Sequence, residues 1–353
     1  MSGEVIPGSV APSQYGYLTV NAFLRSLPCV RALKAAFELG VIDRLAEHGS
    51  GSVAALGQVV GLDPAGTAFL LGLLRQGGVV SVHQGDVRLT RSFREALRYR
   101  DLLEAKLDYI GFCIVDFGDL FTVLLRGDGE FEKKARLFQM FDYGRSLGSD
   151  IQQYQHTYRW VRVTSTLTRY EAPVCLDAYD ISGHRRMLDV GGNSGELAVQ
   201  FCRRNPDLQA AVFDLPAVCE VGLSHVLAYP EHRRIAFLRG DVRRDALPAG
   251  FDLITFKSML HDWPTADARG ILRKAFDALA PSGSVVIFER AALDTDQLTD
   301  ELHMLPNFLF FRYYREAGAY EEILRAIGFT DIRIMPIALD TEHFVVTARK
   351  PVP

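Results

Sequence analysis

The sequence predicts an α/β protein in which a mainly helical N-terminal domain precedes a domain built on a parallel sheet. Three observations support this prediction. From Met187 onward, short apolar runs alternate with amphipathic helical segments, the pattern of a parallel sheet covered by helices on both faces. A glycine-rich turn follows the first of these runs, and an aspartate ends the second. The first hundred residues show three helical segments followed by a hairpin pattern instead.

Length and composition limit the number of domains and the class of protein. The 353 residues are enough for two domains, and an apolar content of 48% is enough for a buried core. A net charge of −4 offers no general attraction to nucleic acid or anionic membranes, and no stretch approaches the roughly 20 apolar residues of a membrane span. The N-terminus lacks the order of a signal peptide, and the five cysteines form no CxxC pair. We therefore expect buried reduced thiols, no metal site and a cytoplasmic protein.

The N-terminal segment predicts a winged helix. We expect one amphipathic helix from Val30 to Leu45, a second from Val53 to Val60, and a third from Pro64 to Gln76 with Asp63 as its N-cap. Residues 79–89 indicate a hairpin that turns at positions 84–86. A winged helix often binds DNA, but the third helix is rich in leucine and carries a single cation. We therefore expect a dimerisation module and no nucleic-acid partner.

Aromatic residues are dense between Asp101 and Tyr170, where no glycine-punctuated strand pattern occurs. We expect helices there, with a break at Gly127-Asp128-Gly129. The predicted organisation is a flexible tail (1–15), a winged-helix dimerisation domain (16–105), a helical linker that contributes to a substrate pocket (106–175), and the sheet domain (176–353).

Seven segments of the sheet domain have the apolar character of strands, and helices separate them. They are Arg186–Val190, Ala210–Phe213, Ile235–Leu238, Leu253–Phe256, Val285–Phe288, Ile332–Met335 and Phe344–Ala348. Ligands of open parallel sheets bind beyond the carboxyl ends of the strands. The candidate cofactor and catalytic residues of this domain lie at such ends.

The turn at positions 191–195 bends sharply after the first strand and opens a helix. Asp214, at the tip of the second strand, stands where an acid commonly accepts both hydroxyls of a ribose. A dinucleotide fingerprint would need a second glycine where Asn193 stands, because the backbone there closes on a pyrophosphate. The spacing instead resembles the first motif of S-adenosylmethionine methyltransferases. The turn alone leaves both nucleoside cofactors open.

Two further strand ends carry candidate chemistry. Asp241, after the third strand, can accept from an adenine amino group or can be an ordinary solvated acid. After the fourth strand, His261 can be a base or a structural histidine. Trp263 can have a role in the site, or it can simply pack against the start of the next helix.

Taken in chain order, these segments closely resemble the small-molecule O-methyltransferases of the plant caffeate type and their bacterial natural-product relatives. The shared segments are Leu188-Asp189-Val190-Gly191-Gly192, Phe213-Asp214-Leu215-Pro216, Gly240-Asp241, Lys257-Ser258-Met259-Leu260-His261-Asp262-Trp263, Leu279-Ala280-Pro281-Ser282-Gly283, Phe288-Glu289-Arg290 and Ile327-Gly328-Phe329. The resemblance covers about residues 20–349, and the His-Asp-Trp segment is its most specific part. It implies a Rossmann-like class I methyltransferase domain behind a winged-helix dimerisation domain.

The resemblance also implies roles. The cofactor would be S-adenosylmethionine, the product S-adenosylhomocysteine, and the partners a small-molecule substrate and a second copy of the chain. His261 would be the general base and Glu289 the acid behind it. Cofactor contacts are implied for Asp189, Gly191, Asp214, Leu215, Asp241, Val242 and Lys257. We expect the substrate pocket to include Phe117, Trp160, Asp262, Met304 and Phe308.

Three positions depart from the family pattern. Asn193 replaces a frequent glycine, which is tolerable if its φ is ordinary, and Ser282 replaces another with little expected consequence. The third matters more, because Tyr314 stands where members often carry a second acid next to the base. Glu316 lies two residues further on and is not expected to take its place.

The leading hypothesis is therefore an S-adenosylmethionine-dependent O-methyltransferase that acts on a phenolic or similar hydroxyl of a small aromatic metabolite. The missing second acid keeps an alternative open: N- or C-methylation, or a relative that binds the cofactor without donating methyl. A non-enzymatic winged-helix regulator is the third class, which the apolar third helix disfavours.

Overall fold

The computed structural model describes residues 15–148 and 150–352. These residues form two compact units. The first comprises the chain up to Leu107 together with Asp300–Met304 and Ala338–Asp340. The second comprises Asp108–Thr299, Leu305–Ile337 and the chain from Thr341 onward. Apart from its last residue, the predicted flexible tail lies outside the described residues.

The first unit contains helices around a small antiparallel sheet with the strand order β1-β3-β2. Its helices are α1 (Leu27–Glu38), α2 (Val41–His48), α3 (Val53–Val60), α4 (Pro64–Gln76) and α5 (Arg91–Ala96). Its strands are β1 (Gly51–Ser52), β2 (Val80–His83) and β3 (Asp86–Leu89).

The single helix predicted over Val30–Leu45 is wrong. Gly40 has a φ of +75°, a left-handed conformation that separates α1 from α2. The predicted third helix and its cap are confirmed, because the Asp63 carboxylate accepts from the Gly66 N–H at 2.6 Å. The hairpin is confirmed as well, whereas the two-residue strand β1 has no signal in the sequence.

The second unit begins inside a long helix, α6 (Arg100–Arg126). The chain then turns at Gly127 and Gly129, which both have positive φ, and this confirms the predicted break. The helices that follow are α7 (Glu130–Lys134), α8 (Arg136–Met140), α9 (Ile151–Ala178), α10 (Glu196–Arg204), α11 (Pro216–Val226), α12 (Thr265–Ala278), α13 (Leu305–Leu309) and α14 (Ala317–Ile327).

A seven-stranded, mostly parallel sheet forms the core of the second unit, and the seven predicted strands are confirmed. They are β4 (Arg186–Val190), β5 (Gln209–Asp214), β6 (Ile235–Arg239), β7 (Phe251–Lys257), β8 (Leu279–Arg290), β9 (Thr330–Ala338) and β10 (Glu342–Arg349). The order is β6-β5-β4-β7-β8-β10-β9, with β10 antiparallel to β8. The chain moves outward from β4 in one direction and then returns to its other side. In open α/β sheets, the ligand-binding crevice lies where the strand order reverses, here between the carboxyl ends of β4 and β7.

Two expectations about single residues need correction. Ser282 has a φ of +62°, so this position does carry backbone strain that a glycine would avoid. Four of the five free cysteines are buried, but Cys29 is only half-buried.

Along the described chain, no helix by itself has the length and apolar character to cross a membrane. α3 and α4 reach that length and composition only together, across a bend of 111°.

Candidate active site

The glycine turn after β4 packs too closely for side chains. Gly191 has a φ of +65°, and a Cβ there would lie 2.5 Å from Met259 Cγ. A Cβ at Gly192 would lie 2.5 Å from a carboxylate oxygen of Asp189. Glycine is therefore required at both positions by the close approach of neighbouring side chains.

Asn193 does not have the ordinary φ that we expected. Its φ is +58°, in the left-handed region, which asparagine tolerates better than most residues. Its side chain holds this conformation: Oδ1 accepts from the Ser194 N–H at 2.7 Å, and Nδ2 donates to Thr164 Oγ1 at 3.0 Å.

Asp214 ends β5 with a half-buried carboxylate. One oxygen accepts from the Asn193 N–H at 2.8 Å, and the other accepts from the Leu215 N–H at 2.7 Å. Burial raises the pKa of Asp214 to about 6 although both hydrogen bonds lower it. Each oxygen has a further lone pair, so the fixed carboxylate can accept from two adjacent hydroxyl groups.

Asp189, at the end of β4, is 1% exposed. Oδ1 accepts from Thr255 Oγ1 at 2.7 Å, but Oδ2 has no hydrogen-bond partner among the described residues. Burial raises the pKa of this carboxyl to about 7. A buried acceptor without a donor fits a site in which a bound molecule supplies one.

Asp241, after β6, holds a cation that the sequence analysis did not single out. Arg243 donates from Nε to Oδ1 at 3.1 Å and from Nη2 to Oδ2 at 3.0 Å. Burial raises the pKa of Asp241, but Arg243 outweighs it, so the pKa lies below its usual value. The Arg243 guanidinium also lies 4.7 Å from the Trp263 ring centroid. Val242 is half-buried beside the core of the sheet.

Lys257, at the end of β7, pairs with an acid of α9. Its Nζ lies 2.6 Å from Glu171 Oε2, and Arg290 Nη2 donates to Glu171 Oε1 at 2.8 Å. Burial raises the pKa of Glu171, but the two cations lower it to about 2. Contact between Lys257 and a cofactor stays a prediction.

His261 and Glu289 form a buried pair, as the resemblance implies. Glu289 Oε2 lies 2.5 Å from His261 Nδ1, and Oε1 accepts from the N–H groups of Met259 and Leu260 at 3.0 and 2.9 Å. This acid thus fixes both the ring and the backbone that precedes it. Burial lowers the pKa of His261, but Glu289 and Asp262 outweigh it and raise the pKa above its usual value.

Other polar side chains surround the same ring. Asp262 Oδ1 lies 3.3 Å from His261 Nε2, and Asp262 Oδ2 accepts from the Tyr143 hydroxyl at 2.8 Å. The Tyr314 ring meets the imidazole edge-on, with centroids 5.4 Å apart, so this residue does stand next to His261. Tyr143 is one of the many aromatic residues between Asp101 and Tyr170, and nothing in the sequence singles it out.

The segment Tyr314–Glu316 holds the histidine loop through its middle residue. Arg315 donates to the carbonyl oxygens of Leu260, at 2.9 Å, and Trp263. Glu316 is exposed and is the N-cap residue of α14, so it does not replace the missing acid.

The predicted pocket residues occupy different places. Phe117 of α6 contacts the rings of Phe121 and Phe308 at centroid distances of 4.7 and 6.3 Å. Trp160 of α9 is buried against Phe141 and Tyr143, and its Nε1 has no hydrogen-bond partner among the described residues.

Met304 is buried in a short 3₁₀ turn, Leu302–Met304, which belongs to the first unit. In the part of the chain that the structure describes, no group of three or more His, Cys, Asp or Glu side chains is arranged to hold a metal ion.

Comparisons with known proteins agree with this arrangement. A family model described as an O-methyltransferase domain matches residues 130–330. Acetylserotonin O-methyltransferase of Bos taurus is 30% identical over 90% of this chain and 94% of its own length. The 3-hydroxy-5-methyl-1-naphthoate 3-O-methyltransferase of Streptomyces sahachiroi is 28% identical over 91% of both chains.

Among solved structures, human N-acetylserotonin methyltransferase in complex with S-adenosylmethionine superposes with a TM-score of 0.73 at 24% identity. The match covers 98% of this chain and 100% of that one. It shows the same fold, a mixed α/β architecture of the class I methyltransferase type. The family predicted from the sequence is confirmed: the chain belongs to the O-methyltransferase family.

Proposed function

We propose that this protein transfers a methyl group from S-adenosylmethionine to a hydroxyl, typically phenolic, of a small aromatic substrate. The observation that carries the proposal is the buried His261–Glu289 pair, which lies at the carboxyl ends of the central strands. Three carboxylates follow neighbouring strands at the same edge of the sheet. The histidine pair would provide a base for the methyl acceptor, and the three carboxylates would provide hydrogen-bond acceptors for a nucleoside.

The residues present fit the cofactor. Asp214 can accept from the two ribose hydroxyls, and the orphaned Asp189 Oδ2 calls for a donor such as an ammonium group. The Gly191 backbone would contact the amino-acid part of the cofactor, while Asp241 and Val242 would hold the adenine. When bound, S-adenosylmethionine supplies a methyl group on a positively charged sulfur.

The chain's own residues would prepare the acceptor. A phenol has a pKa of about 10 and is a weak nucleophile until it loses its proton, which a neutral imidazole can accept. Glu289 fixes the tautomer with the proton on Nδ1 and stabilises the imidazolium that forms. Holding the reacting groups in line can contribute as much as ~7–11 kcal/mol, so orientation by the pocket would matter more than the base.

Aromatic side chains support an aromatic substrate. Rings from α6, α8, α9 and the segment around α13 pack together in the second unit, including Phe138 with Phe310 and Tyr143 with Trp160. Two relatives are named for O-methylation of a hydroxynaphthoate and of acetylserotonin.

Incubation with S-adenosylmethionine and a panel of phenols, carboxylic acids and amines should convert a phenol to its methyl ether, in which a methyl group replaces the hydroxyl hydrogen. Mass spectrometry detects the gain in mass, and product NMR locates the methyl on oxygen, nitrogen or carbon. A methyl on nitrogen or carbon would replace O-methylation by the alternative chemistry. Cofactor binding in calorimetry without product from any acceptor would point to a non-methylating relative.

We propose that two copies of the chain form a homodimer. The interface would consist of the first unit, as a winged-helix domain, and the exposed face of α6. Phe69 of α4 is 71% exposed, and Val59 and Leu27 of the same unit are exposed too. On α6, Phe112, Phe121 and Leu125 are exposed. Large contiguous apolar patches on a protein surface mark interaction sites. We further propose a cytoplasmic protein without nucleic-acid or membrane partners.

Light scattering at micromolar concentration should give twice the mass of one chain. A double variant, Phe69→Asp with Phe112→Asp, should shift the protein toward monomer because it places charges in the proposed interface. Tyr158→Asp is the control, since Tyr158 is a half-exposed aromatic of the second unit outside the proposed interface. A wild-type protein that scatters as a monomer would contradict the proposal.

A further inference from the structure

A chain of polar contacts joins Tyr143 to Glu289 through the proposed base. The Tyr143 hydroxyl donates to Asp262 Oδ2 at 2.8 Å, while Asp262 Oδ1 lies 3.3 Å from His261 Nε2. On the other side of the ring, His261 Nδ1 lies 2.5 Å from Glu289 Oε2. The Asp262, His261 and Glu289 side chains are 18%, 10% and 0% exposed, so water screens these contacts poorly.

A carboxylate on each ring nitrogen favours the imidazolium, because only this form donates from both Nδ1 and Nε2. An imidazolium cannot accept a proton. With Nδ1 facing Glu289, Nε2 is the nitrogen left to act as base, and Asp262 lies against it. The strength of the Asp262 contact therefore decides how alkaline the solution must be before His261 is neutral.

Tyr143 is placed to limit that contact. Its ring packs against Trp160 and Trp263, with centroid distances of 5.6 and 5.9 Å, so the hydroxyl has a fixed direction. The hydroxyl engages one oxygen of Asp262 and leaves the other to face His261 at a long distance. Without the hydroxyl, the carboxylate could turn fully toward the imidazolium.

We propose that Tyr143 is a positioning residue: it shares the Asp262 carboxylate with His261 and thereby sets the pH range in which His261 can accept a proton. The proposal rests on the proposed role of His261 as base. Neither the sequence pattern nor the shared motifs single out Tyr143, which lies in a short 3₁₀ turn between α8 and α9.

Other groups around this pair act on the same protonation. The other charged and titratable side chains of the described residues that interact with His261, Asp262 or Glu289 are Arg290, Arg315, Tyr109, Tyr143, Tyr313, Tyr314 and Tyr320. Arg290 lowers the pKa of His261, and Arg315 lowers the pKa of Asp262. Apart from Tyr143 itself and Tyr313, none of them is altered by the substitutions below. Burial and the bond to Glu132 raise the pKa of Tyr313, so it stays neutral over the titration. A change in midpoint in Tyr143→Phe therefore reports on the Tyr143–Asp262 contact.

The test is an NMR titration of the full chain labelled with ¹³C at histidine Cε1, from pH 5.5 to 10, without cofactor or acceptor. The His261 resonance is the one absent from His261→Gln. Tyr143→Phe should raise its midpoint by about half a pH unit to one unit, the shift expected from one hydrogen bond. Asp262→Asn should lower the midpoint, since it removes a negative charge beside the imidazolium.

Tyr143→Phe should cause no shift in the Asp262→Asn background, because Tyr143 acts through Asp262. The matched control is Tyr313→Phe, which removes a tyrosine–carboxylate bond of the same length, to Glu132, and should leave the midpoint unchanged. An unchanged midpoint in Tyr143→Phe, or an equal shift in both backgrounds, would overturn the proposal. If Tyr143→Phe does not fold, an unchanged midpoint in Asp262→Asn overturns it as well. The readout needs no methyl transfer, so the proposed function can fail independently.

Discussion

His261→Ala should lower turnover by roughly 10²–10⁴-fold, the usual contribution of a general base. The imidazole is held by Glu289 on one side, so its loss removes the group placed to take the acceptor proton. Affinity for S-adenosylhomocysteine should not change, because the ring lies with Asp262 and Tyr314 rather than with the carboxylates assigned to the nucleoside. Turnover and calorimetry on the same two proteins separate these effects.

The pH dependence of this variant is the sharper measurement. The pKa of His261 is raised, so the wild-type rate should rise with pH through a midpoint above the usual histidine value of about 6.5. His261→Ala should lack this rise with pH. Its rate should approach the wild-type rate near pH 10, where the phenol loses its proton without a base. If the wild-type protein and His261→Ala have the same rates from pH 6 to 10, His261 only lines the pocket and is not the base.

A second histidine–carboxylate pair provides the control. His184 Nδ1 lies 3.2 Å from Asp252 Oδ1 at the amino end of the sheet, opposite the proposed site. His184→Ala removes a comparable pair and should leave the rate and its pH profile intact. A similar loss of turnover in this variant would show that the effect of His261→Ala is one of folding.

The sequence was sufficient for the central strands because β4, β5, β6 and β7 are short apolar runs that end at a glycine or a polar residue. The run that ends at Val190 and the one that ends at Asp214 were predicted to within a residue, and their ends define the proposed cofactor site. The helix over residues 30–45 was wrong for the opposite reason. Its apolar spacing continues through Gly40, where only the backbone φ reveals the break.

Side-chain partners were the part of the site that sequence patterns could not supply. Nothing in the spacing indicates that Arg243 neutralises Asp241, or that Glu171, 86 residues away along the chain, pairs with Lys257. Tyr143 was hidden among many aromatics because periodicity marks a buried ring without showing where its hydroxyl points. The resemblance did place Tyr314 correctly beside His261, since the two ring centroids lie 5.4 Å apart.

Asp214→Asn should weaken binding of S-adenosylhomocysteine by ~10- to 100-fold, the effect of losing one or two hydrogen bonds to a charged acceptor. An amide keeps one oxygen where the carboxylate has two, so it cannot serve the Asn193 and Leu215 N–H groups and two hydroxyls together. Asp252→Asn is the control. Asp252 also accepts from two consecutive backbone N–H groups, those of Arg185 and Arg186, but at the opposite end of the strands.

The affinity of the wild-type protein should also depend on pH, in a direction fixed by burial. Because burial raises the pKa of Asp214 to about 6, the carboxylate takes up a proton as the pH falls through that value and loses acceptor capacity. Calorimetry should therefore show binding that strengthens from pH 5 to 7, and Asp214→Asn should lack the step near pH 6. Asp189, with a pKa of about 7, keeps its own step in the variant. If Asp214→Asn binds as tightly as the wild-type protein while Asp252→Asn does too, Asp214 does not hold the ribose, and its role is limited to fixing the glycine turn.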